Sequence, residues 1–288
     1  MGKKSRRARA DQPARVKRTP VPFVERPFDG LSAEAELVAM REILPAASIT
    51  ATTGTEHGAR TVTFVTLLPQ VWAALARDDG AILVALQTGE RSGDASRDAA
   101  AALLLALDAE PGTEIPSVGL LEAGPRLQDV LDPESFGEVQ LSDGFDFWLA
   151  DDAERTPEVE AALEESGERI VPTEAVAGVP SAYWCRMNRE FLRWVRPEDP
   201  DRVLDGLARL HARREDAIVE GARFVGAFRA AGLIVPVWEL PDGTGADALA
   251  APVAAFATTL DEAIAAEGTL DADERRARAG LVSRQVSL

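Results

Sequence analysis

Cysteine and histidine are scarce in this sequence of 288 residues, and their scarcity limits the chemistry that the chain can perform. The single cysteine, Cys185, rules out an intramolecular disulfide and is compatible with a reducing compartment. Together with His57 and His211, it cannot supply the ligand set of a Cys/His zinc site. We therefore predict no metal and no cofactor, and we interpret both histidines as structural or solvated rather than catalytic.

Several motifs of catalysis and membrane insertion are also missing. The sequence contains neither a GxSxG nucleophile elbow nor a GxxxxGK[ST] phosphate loop. Its longest apolar run, at residues 99–107, is shorter than the ~20 residues that span a bilayer. No apolar segment follows the basic N-terminus, as one would in a secretory signal. These absences predict a soluble, cytoplasmic protein with no membrane partner.

Lysine is confined to one end of the chain, where it helps to form a basic segment. All three lysines lie within the first 17 residues, and the whole chain has a net charge of -17. Residues 1–20 carry eight cations against Asp11, so the remainder is far more acidic than the whole. The cations are Lys3, Lys4, Arg6, Arg7, Arg9, Arg15, Lys17 and Arg18. A segment with so few large apolar residues is expected to be disordered, and it can bind a polyanion.

Helix and strand patterns follow one another through the rest of the chain and predict an α/β or α+β fold, with a mixed sheet and packed helices. Helix N-cap signals occur at Ser32, Asp94 or Ser96, Thr156-Pro157, Asp199-Pro200 and Asp271. TVTFVTLL, AILVALQT and GLIVPVWEL have the composition of strands. We also expect a strand at residues 142–151, and a helical region that runs from Asp199 to Gly232 with a break near residue 215.

The chain divides into four predicted parts. They are a disordered basic arm (1–21), an α/β half (22–150), a second α/β half (151–268), and a short helix with a tail (269–288). GTEIPSV at 112–118 aligns with GLIVPVW at 232–238, which suggests two similar halves. However, AILVALQT is extended in character whereas its counterpart is helical. The duplication therefore stays open, and no function depends on it.

The loop GERSGDASRD at residues 89–98 is a candidate small-ligand site. Its backbone amides, with Arg91 and Arg97, have the chemistry to hold an anion, and Asp94 and Asp98 lie in the same loop. The alternative, which we favour, is a surface loop in which Asp94 caps the following helix.

The stretch AYWCRMNREFLRWVR at residues 182–196 combines aromatic and basic side chains. Trp184, Arg186, Arg193 and Trp194 are candidates for a stacking surface that contacts a nucleic acid or a protein partner. The favoured alternative is a strand whose aromatic side chains pack inward while arginine stems cover them.

A GxGxxA match occurs at residues 243–248, between a predicted strand and a predicted helix. In a dinucleotide site such glycines bring the backbone close to a pyrophosphate. Here Pro241 and Asp242 intervene, and no second strand ending in an acidic residue follows. We therefore favour a tight turn and helix cap over a cofactor site.

Several stretches resemble a family of actinobacterial proteins of about this length. They include ERPFDGL, RDDGAILVALQT, SGDASRD, GPRLQDVLDPE, FRAAGLIVPVWELP and ERRARAGLVSRQVSL, so that the resemblance extends from about residue 22 to the end. The family has no established activity, so the resemblance transfers no catalytic residue. Its members often begin with a SEC-C zinc knuckle, CxCxSGxxxxxCHG. The first 30 residues here contain no Cys or His, so that this chain has the basic arm in place of the knuckle.

These observations favour a non-enzymatic, cytoplasmic binding or accessory protein. The acidic body is expected to bind a protein partner of unknown identity, and the basic arm a polyanion, such as RNA or the ribosome. One alternative is an enzyme or small-ligand binder that uses residues 89–98. Another is that the arm serves only as a solubilising or leader extension.

Overall fold

The computed structural model describes residues 21–89, 92–119, 124–150, 152–168 and 170–283. Within these ranges the chain forms seven helices and two sheets. The helices are α1 (Glu34–Glu42), α2 (Ala95–Leu107), α3 (Leu127–Val130), α4 (Pro157–Gly167), α5 (Pro200–Arg213), α6 (Ala250–Ala265) and α7 (Ala272–Ser283). The strands are β1 (Ala47–Thr52), β2 (Thr61–Val65), β3 (Ala74–Ala76), β4 (Ile82–Ala85), β5 (Thr113–Ile115), β6 (Gln140–Leu141), β7 (Thr173–Ala175), β8 (Ala182–Arg186), β9 (Glu190–Trp194), β10 (Arg223–Ala230) and β11 (Leu233–Leu240).

The first sheet is mixed, with the strand order β5-β3-β4-β2-β1-β6. Strands β2 and β4 run parallel, with Thr63 opposite Leu83, and the other pairs are antiparallel. Side chains alternate between the two faces of these strands. One face, which includes Phe64, packs against Leu37 of α1 and Leu103 of α2, and all three side chains are fully buried.

The second sheet is antiparallel, with the order β10-β11-β9-β8-β7. Helices α5 and α6 pack with it around a second core, in which Trp238 is fully buried. The rings of Phe224 and Phe256 lie 5.2 and 5.5 Å from that of Trp238. The apolar stripe of α5, from Val203 to Leu210, is buried in this core.

The two sheets share part of one core. Tyr183, Val195, Leu233 and Val235 belong to the second sheet or its flanks, yet they are buried in the apolar cluster of the first. Arg26 adds a polar link, because it pairs with Glu34 and donates to the carbonyl oxygen of Pro197 at 2.8 Å. The mixed α/β architecture is therefore confirmed, and its two sheets pack against each other.

Two predicted elements are wrong. In place of the strand predicted at 142–151, the described residues 142–150 form a single 3-10 turn at Asp146–Trp148. The compact turn lets Phe145 stack on Trp148, with ring centroids 4.5 Å apart, which an extended strand would separate.

The second wrong prediction is helical continuation to Gly232. Helix α5 ends because Arg214 adopts a left-handed conformation, and strand β10 follows it. Ala231 and Gly232 both have positive φ and connect β10 to β11 as a two-residue hairpin turn. A Cβ at Gly232 would lie 2.8 Å from the carbonyl oxygen of Glu25, so this position requires glycine.

One helical stretch in the described part of the chain, Asp247–Ala265, is long and apolar enough to cross a membrane. In the structure its apolar side chains pack in the second core. Val253 and Leu260 are fully buried, and the helix crosses α5 at Gly206, where a Cβ would lie 2.7 Å from Cγ1 of Ile264. The absence of a membrane partner stays a prediction.

Candidate functional site

The face of the first sheet opposite α1 and α2 carries a separate, smaller apolar cluster. Val65 and Leu83 are buried there, and Trp72 and Trp148 pack against the cluster while remaining partly exposed. The indole Nε1 of Trp148 donates to the carbonyl oxygen of Leu67 at 2.8 Å, which fixes the ring over the sheet. Two tryptophan rings therefore stay within reach of solvent on this face.

Helix α4 lies over this face without being buried in it. The Thr156 hydroxyl caps the helix and Pro157 begins it, but none of its residues is buried. Val159 and Leu163 line a cavity on one side of the helix, and Ala162 lines cavities on both sides. The helix thus roofs an open space between itself and the sheet.

The larger of these cavities has a volume of about 660 Å³, within the usual range of ligand sites. Its apolar wall includes Trp72, Leu75, Trp148, Leu149, Val159 and Leu163. Its charged rim consists of Arg77, Asp78, Asp79, Glu114 and Asp152. We call this cavity, with its wall and rim, the α4 groove.

The rim of the α4 groove is acidic. Arg77 is its one cation among the described lining residues, and it is committed to Asp79 and to the carbonyl oxygen of Leu149. Hydrogen bonds from Arg77 and from the Ala81 amide lower the pKa of Asp79, so this carboxylate is ionised at neutral pH. The carboxylates of Asp78, Glu114 and Asp152 are exposed at the rim.

The sequence around the groove is acidic as well. Residues 132–168, which include α4, contain thirteen Asp or Glu and a single cation, Arg155. This region holds a large share of the negative charge of the body. The field at the groove therefore favours a positively charged ligand.

A second cavity of about 530 Å³ adjoins the groove on the other side of α4 and shares Trp148 with it. Gln70 and Val71 line this cavity, and both have left-handed backbone conformations, with φ of 51° and 62°. Such a conformation is costly for a β-branched residue and is held in place by the surrounding structure. The strained turn therefore lies beside a surface cavity, a setting in which strain often serves binding.

The predicted loop site is largely occupied by its own carboxylates. Asp94 caps α2 as expected, since its Oδ1 accepts from the amides of Ser96 and Arg97 at 3.2 and 3.4 Å. Its other oxygen lies 3.0 Å from Nε of Arg126, while Asp98 accepts from the amide of Ser92 at 3.1 Å. Arg91 lies outside the described residues, as does the whole basic set from Lys3 to Arg18.

A small cavity nevertheless lies beside this loop. Its volume is about 210 Å³, and its lining includes Thr88, Gly89 and Asp98, with Arg41 on α1. Asp94 and Arg97 do not line it. Of the loop candidates that the structure describes, only Asp98 therefore faces a space that a ligand can enter.

The predicted aromatic and basic stretch forms the hairpin β8–β9. Trp184 and Trp194 are buried, and their indole nitrogens donate to Glu190 and to the carbonyl oxygen of Pro180. Arg186 lies over the ring of Trp184 at 5.1 Å, and Arg193 donates to the sulfur of Met187. The geometry matches the inward-packed arrangement, and it leaves neither tryptophan available for stacking on a ligand.

The GxGxxA loop does bind an anion, and that anion is the side chain of Glu190. The amides of Gly243 and Gly245 donate to its two oxygens at 2.8 and 2.9 Å, and Trp184 donates to one of them. Burial raises the pKa of Glu190, but these three hydrogen bonds outweigh burial and the pKa is lowered. The loop is therefore a structural clasp between β9 and the start of α6.

The remaining nucleophiles and bases are separated from one another. His57 lies in a 3-10 turn, and His211 places Nδ1 2.6 Å from a carboxylate oxygen of Asp216. Burial raises the pKa of the Cys185 thiol, which keeps it in the unreactive protonated form. Within the described ranges no group of three or more His, Cys, Asp or Glu side chains could hold a metal ion.

None of the candidate sites predicted from the sequence includes Asp78, Asp79 or the tryptophans of the groove. The available signal was the acidic run at 132–168 with Trp148 inside it.

Comparison with known families gives a match to a family of unknown function (DUF5926), which covers residues 27–288. Neither the curated proteins nor the solved structures gave a match.

Proposed function

This chain belongs to that family of unknown function, and we propose that it is a non-enzymatic binding or accessory protein whose α4 groove holds a basic segment of a protein partner. The observation that carries the proposal is the combination of partly exposed tryptophans and an acidic rim in one groove. Neither feature alone specifies a ligand, but together they match the two ends of an Arg or Lys side chain.

The chemistry of the groove suits long cationic side chains. Aliphatic stems of Arg or Lys pack well on apolar surface such as Leu75 and Leu163. A guanidinium group is attracted to the face of an indole, which Trp72 and Trp148 provide. The charged end then reaches rim carboxylates, where charge-assisted hydrogen bonds add both strength and direction.

A binding measurement with a labelled Arg-rich peptide tests this proposal. We expect the combined variant Asp78→Asn, Glu114→Gln, Asp152→Asn to weaken binding about tenfold in fluorescence anisotropy, since each lost carboxylate contributes a few tenths to about 1 kcal/mol. A matched control removes the same charge from exposed acids outside the groove, with Glu134→Gln, Glu138→Gln, Glu174→Gln. Equal weakening by the two variants would show that only net charge matters and would reject the groove.

The basic arm is the second part of the proposal. We infer that its eight cations bind a polyanion such as RNA or the ribosome, in the cytoplasm. Each neutralised phosphate should contribute about -0.7 to -0.9 to the slope of log affinity against log salt. Co-sedimentation with ribosomes should be lost when all eight cations are replaced by Gln in the full chain. Retained binding by that variant would assign the contact to the body instead.

The cavity beside residues 88–98 favours an alternative function, the binding of a small ligand. At about 30 Å³ per water, its 210 Å³ correspond to about seven waters, so the cavity admits a ligand of roughly seven non-hydrogen atoms. Ala99 lines the cavity and is buried, so Ala99→Leu should fill it. A small carboxylate or amine that raises the melting temperature of the wild type, but not of Ala99→Leu, would support this function. A shift that survives the substitution would exclude this cavity.

A further inference from the structure

We propose that the basic arm of this chain, residues 1–20, docks on the α4 groove of the same molecule. The inference rests on the proposed function in one respect, namely that the groove accepts a basic segment. It goes further by identifying the basic arm as the segment that fills the groove when no partner is bound. It also connects the two charged parts of the molecule, which the sequence separates by more than 50 residues.

Charge complementarity is the first argument. The arm carries eight cations against one Asp, and the described lining of the groove carries four carboxylates against Arg77. Five of the eight cations are arginines, which suit both the tryptophan faces and the carboxylate rim. At moderate salt such attraction acts over roughly 8–10 Å, so a tethered arm near the groove is drawn into it.

The starting point of the arm is the second argument. The amide of Val24 donates to the carbonyl oxygen of Gly93 at 2.9 Å, so that the chain enters the body beside the loop before α2. The small cavity at that loop is also lined by Gln70 and Val71, which line the cavity adjoining the groove. Neighbouring cavities that share lining residues therefore lie between the loop beside Val24 and helix α4.

The length of the arm is the third argument. Twenty extended residues reach about 65 Å. A folded body of this size has a diameter of roughly 50 Å, judged from the usual scaling of the radius of gyration. The tether therefore permits docking without strain. It also gives the arm an effective concentration near the groove of about the millimolar range, higher than a free partner usually attains.

Docking of the arm would couple the two proposed binding activities. While the arm lies in the groove, a basic segment of a partner must displace it. A polyanion that binds the arm withdraws its cations from the rim and frees the groove. The arm would then act as a competitor that an RNA or ribosome removes.

The position of lysine in this chain supplies a direct test. Carbodiimide treatment joins an amine to a carboxylate through a zero-length amide bond. The only side-chain amines are Lys3, Lys4 and Lys17, so every such crosslink within the chain starts from the arm. In the full chain we expect crosslinks to Asp78, Asp79, Glu114 and Asp152 in about tenfold higher yield than to exposed acids of the second half, such as Glu220, Asp242 and Glu267.

Two controls separate docking from its alternatives. A mixture of unlabelled and ¹⁵N-labelled chains distinguishes crosslinks within a molecule from those between molecules, and added RNA should abolish the groove crosslinks. Even yields over all exposed acids, or crosslinks only between molecules, would overturn the inference. If crosslinks concentrate in the groove of the wild type while the Arg-rich peptide fails to bind the variant whose eight arm cations are replaced by Gln, the docked arm stands and the partner proposal fails. Scattered crosslinks with tight peptide binding would reject the docked arm and support the partner proposal.

Discussion

Helices α4 and α5 begin with the same local signal and lie in opposite environments. Each starts with a capping side chain followed by proline, Thr156-Pro157 in α4 and Asp199-Pro200 in α5. Helix α5 then buries seven of its residues in the second core, whereas α4 buries none. The cap fixes where a helix starts, but it does not decide what the helix packs against.

The difference arises from the apolar stripe that follows each cap. Helix α5 places Val203, Leu207 and Leu210 on one face, and burying each such side chain contributes about 1.5–3 kcal/mol. Helix α4 has only Val159, Leu163 and two alanines among four glutamates. With so few apolar side chains, α4 packs only weakly against the sheet. It therefore covers the groove without closing it.

The same substitution in the two helices should have very different effects, and this pair gives the largest expected change. Leu207 is fully buried in the second core, so Leu207→Ala should lower the free energy of unfolding by about 3 kcal/mol. Leu163 is only partly buried, so Leu163→Ala should cost roughly 0.5 kcal/mol. Urea denaturation of both variants measures the difference. Similar losses would mean that α4 is part of the cooperative core.

The clasp at Glu190 gives the next largest effect, and it depends on pH. Glu190→Gln should lower the free energy of unfolding by about 2 kcal/mol at neutral pH, because an amide cannot accept from all three buried donors. The folded pKa of Glu190 is lowered, so its stabilisation is present above the ordinary pKa of about 4.3 and is lost as pH falls through the folded value. The difference between variant and wild type should therefore shrink in acid.

Denaturation at pH 7 and at pH 3 measures this shrinkage. The exposed neighbour Glu174 on β7 supplies the control, since Glu174→Gln removes the same charge without touching buried donors. A loss for Glu190→Gln that stays constant between the two pH values would contradict the role of the ionised carboxylate.

Replacing a helical glycine by alanine in α5 and in α4 should give the smallest changes in the free energy of unfolding. The two changes should have opposite signs, because α5 is tightly packed and α4 is not. A Cβ at Gly206 would lie 2.7 Å from Ile264, so Gly206→Ala should destabilise by about 1 kcal/mol after its gain in helix propensity. At Gly167, at the end of α4, nothing lies within 4 Å of such a Cβ. Gly167→Ala should therefore leave the free energy of unfolding unchanged or slightly raised. Thermal unfolding followed by circular dichroism compares them, and a stabilised Gly206→Ala would mean that α5 and α6 are loosely packed.

Much of the local structure was predictable because its signals act over a few residues. Asp94 caps α2 as predicted, and Asp271, another predicted N-cap, accepts from the amides of Asp273 and Glu274. The strand β11 and the apolar face of α6 follow from their hydrophobic patterns. The hairpin from β10 was missed because RFVGAFRA alternates weakly, and its turn residues stand in a sequence that also suits a helix.

The candidate site was not predictable to the same degree. The groove combines Trp72 and Asp78, which flank β3, and Glu114 of β5 with Trp148 and Leu163, which lie farther along the chain. Each of these residues has an ordinary explanation in its own segment, such as a turn or a partly covered apolar side chain. Only their meeting in one cavity gives them a joint chemistry.

Local patterns in the sequence specify where most helices and strands begin, the mixed α/β class, and the separation of a basic arm from an acidic body. Helix caps, hydrophobic periodicity and net charge are properties of short segments, so they can be predicted from the local sequence. Packing between distant segments decided that Glu190 occupies the glycine loop and that α4 roofs an acidic groove. Those arrangements depend on contacts between residues that are distant in the sequence. Such contacts form only when the whole core is packed.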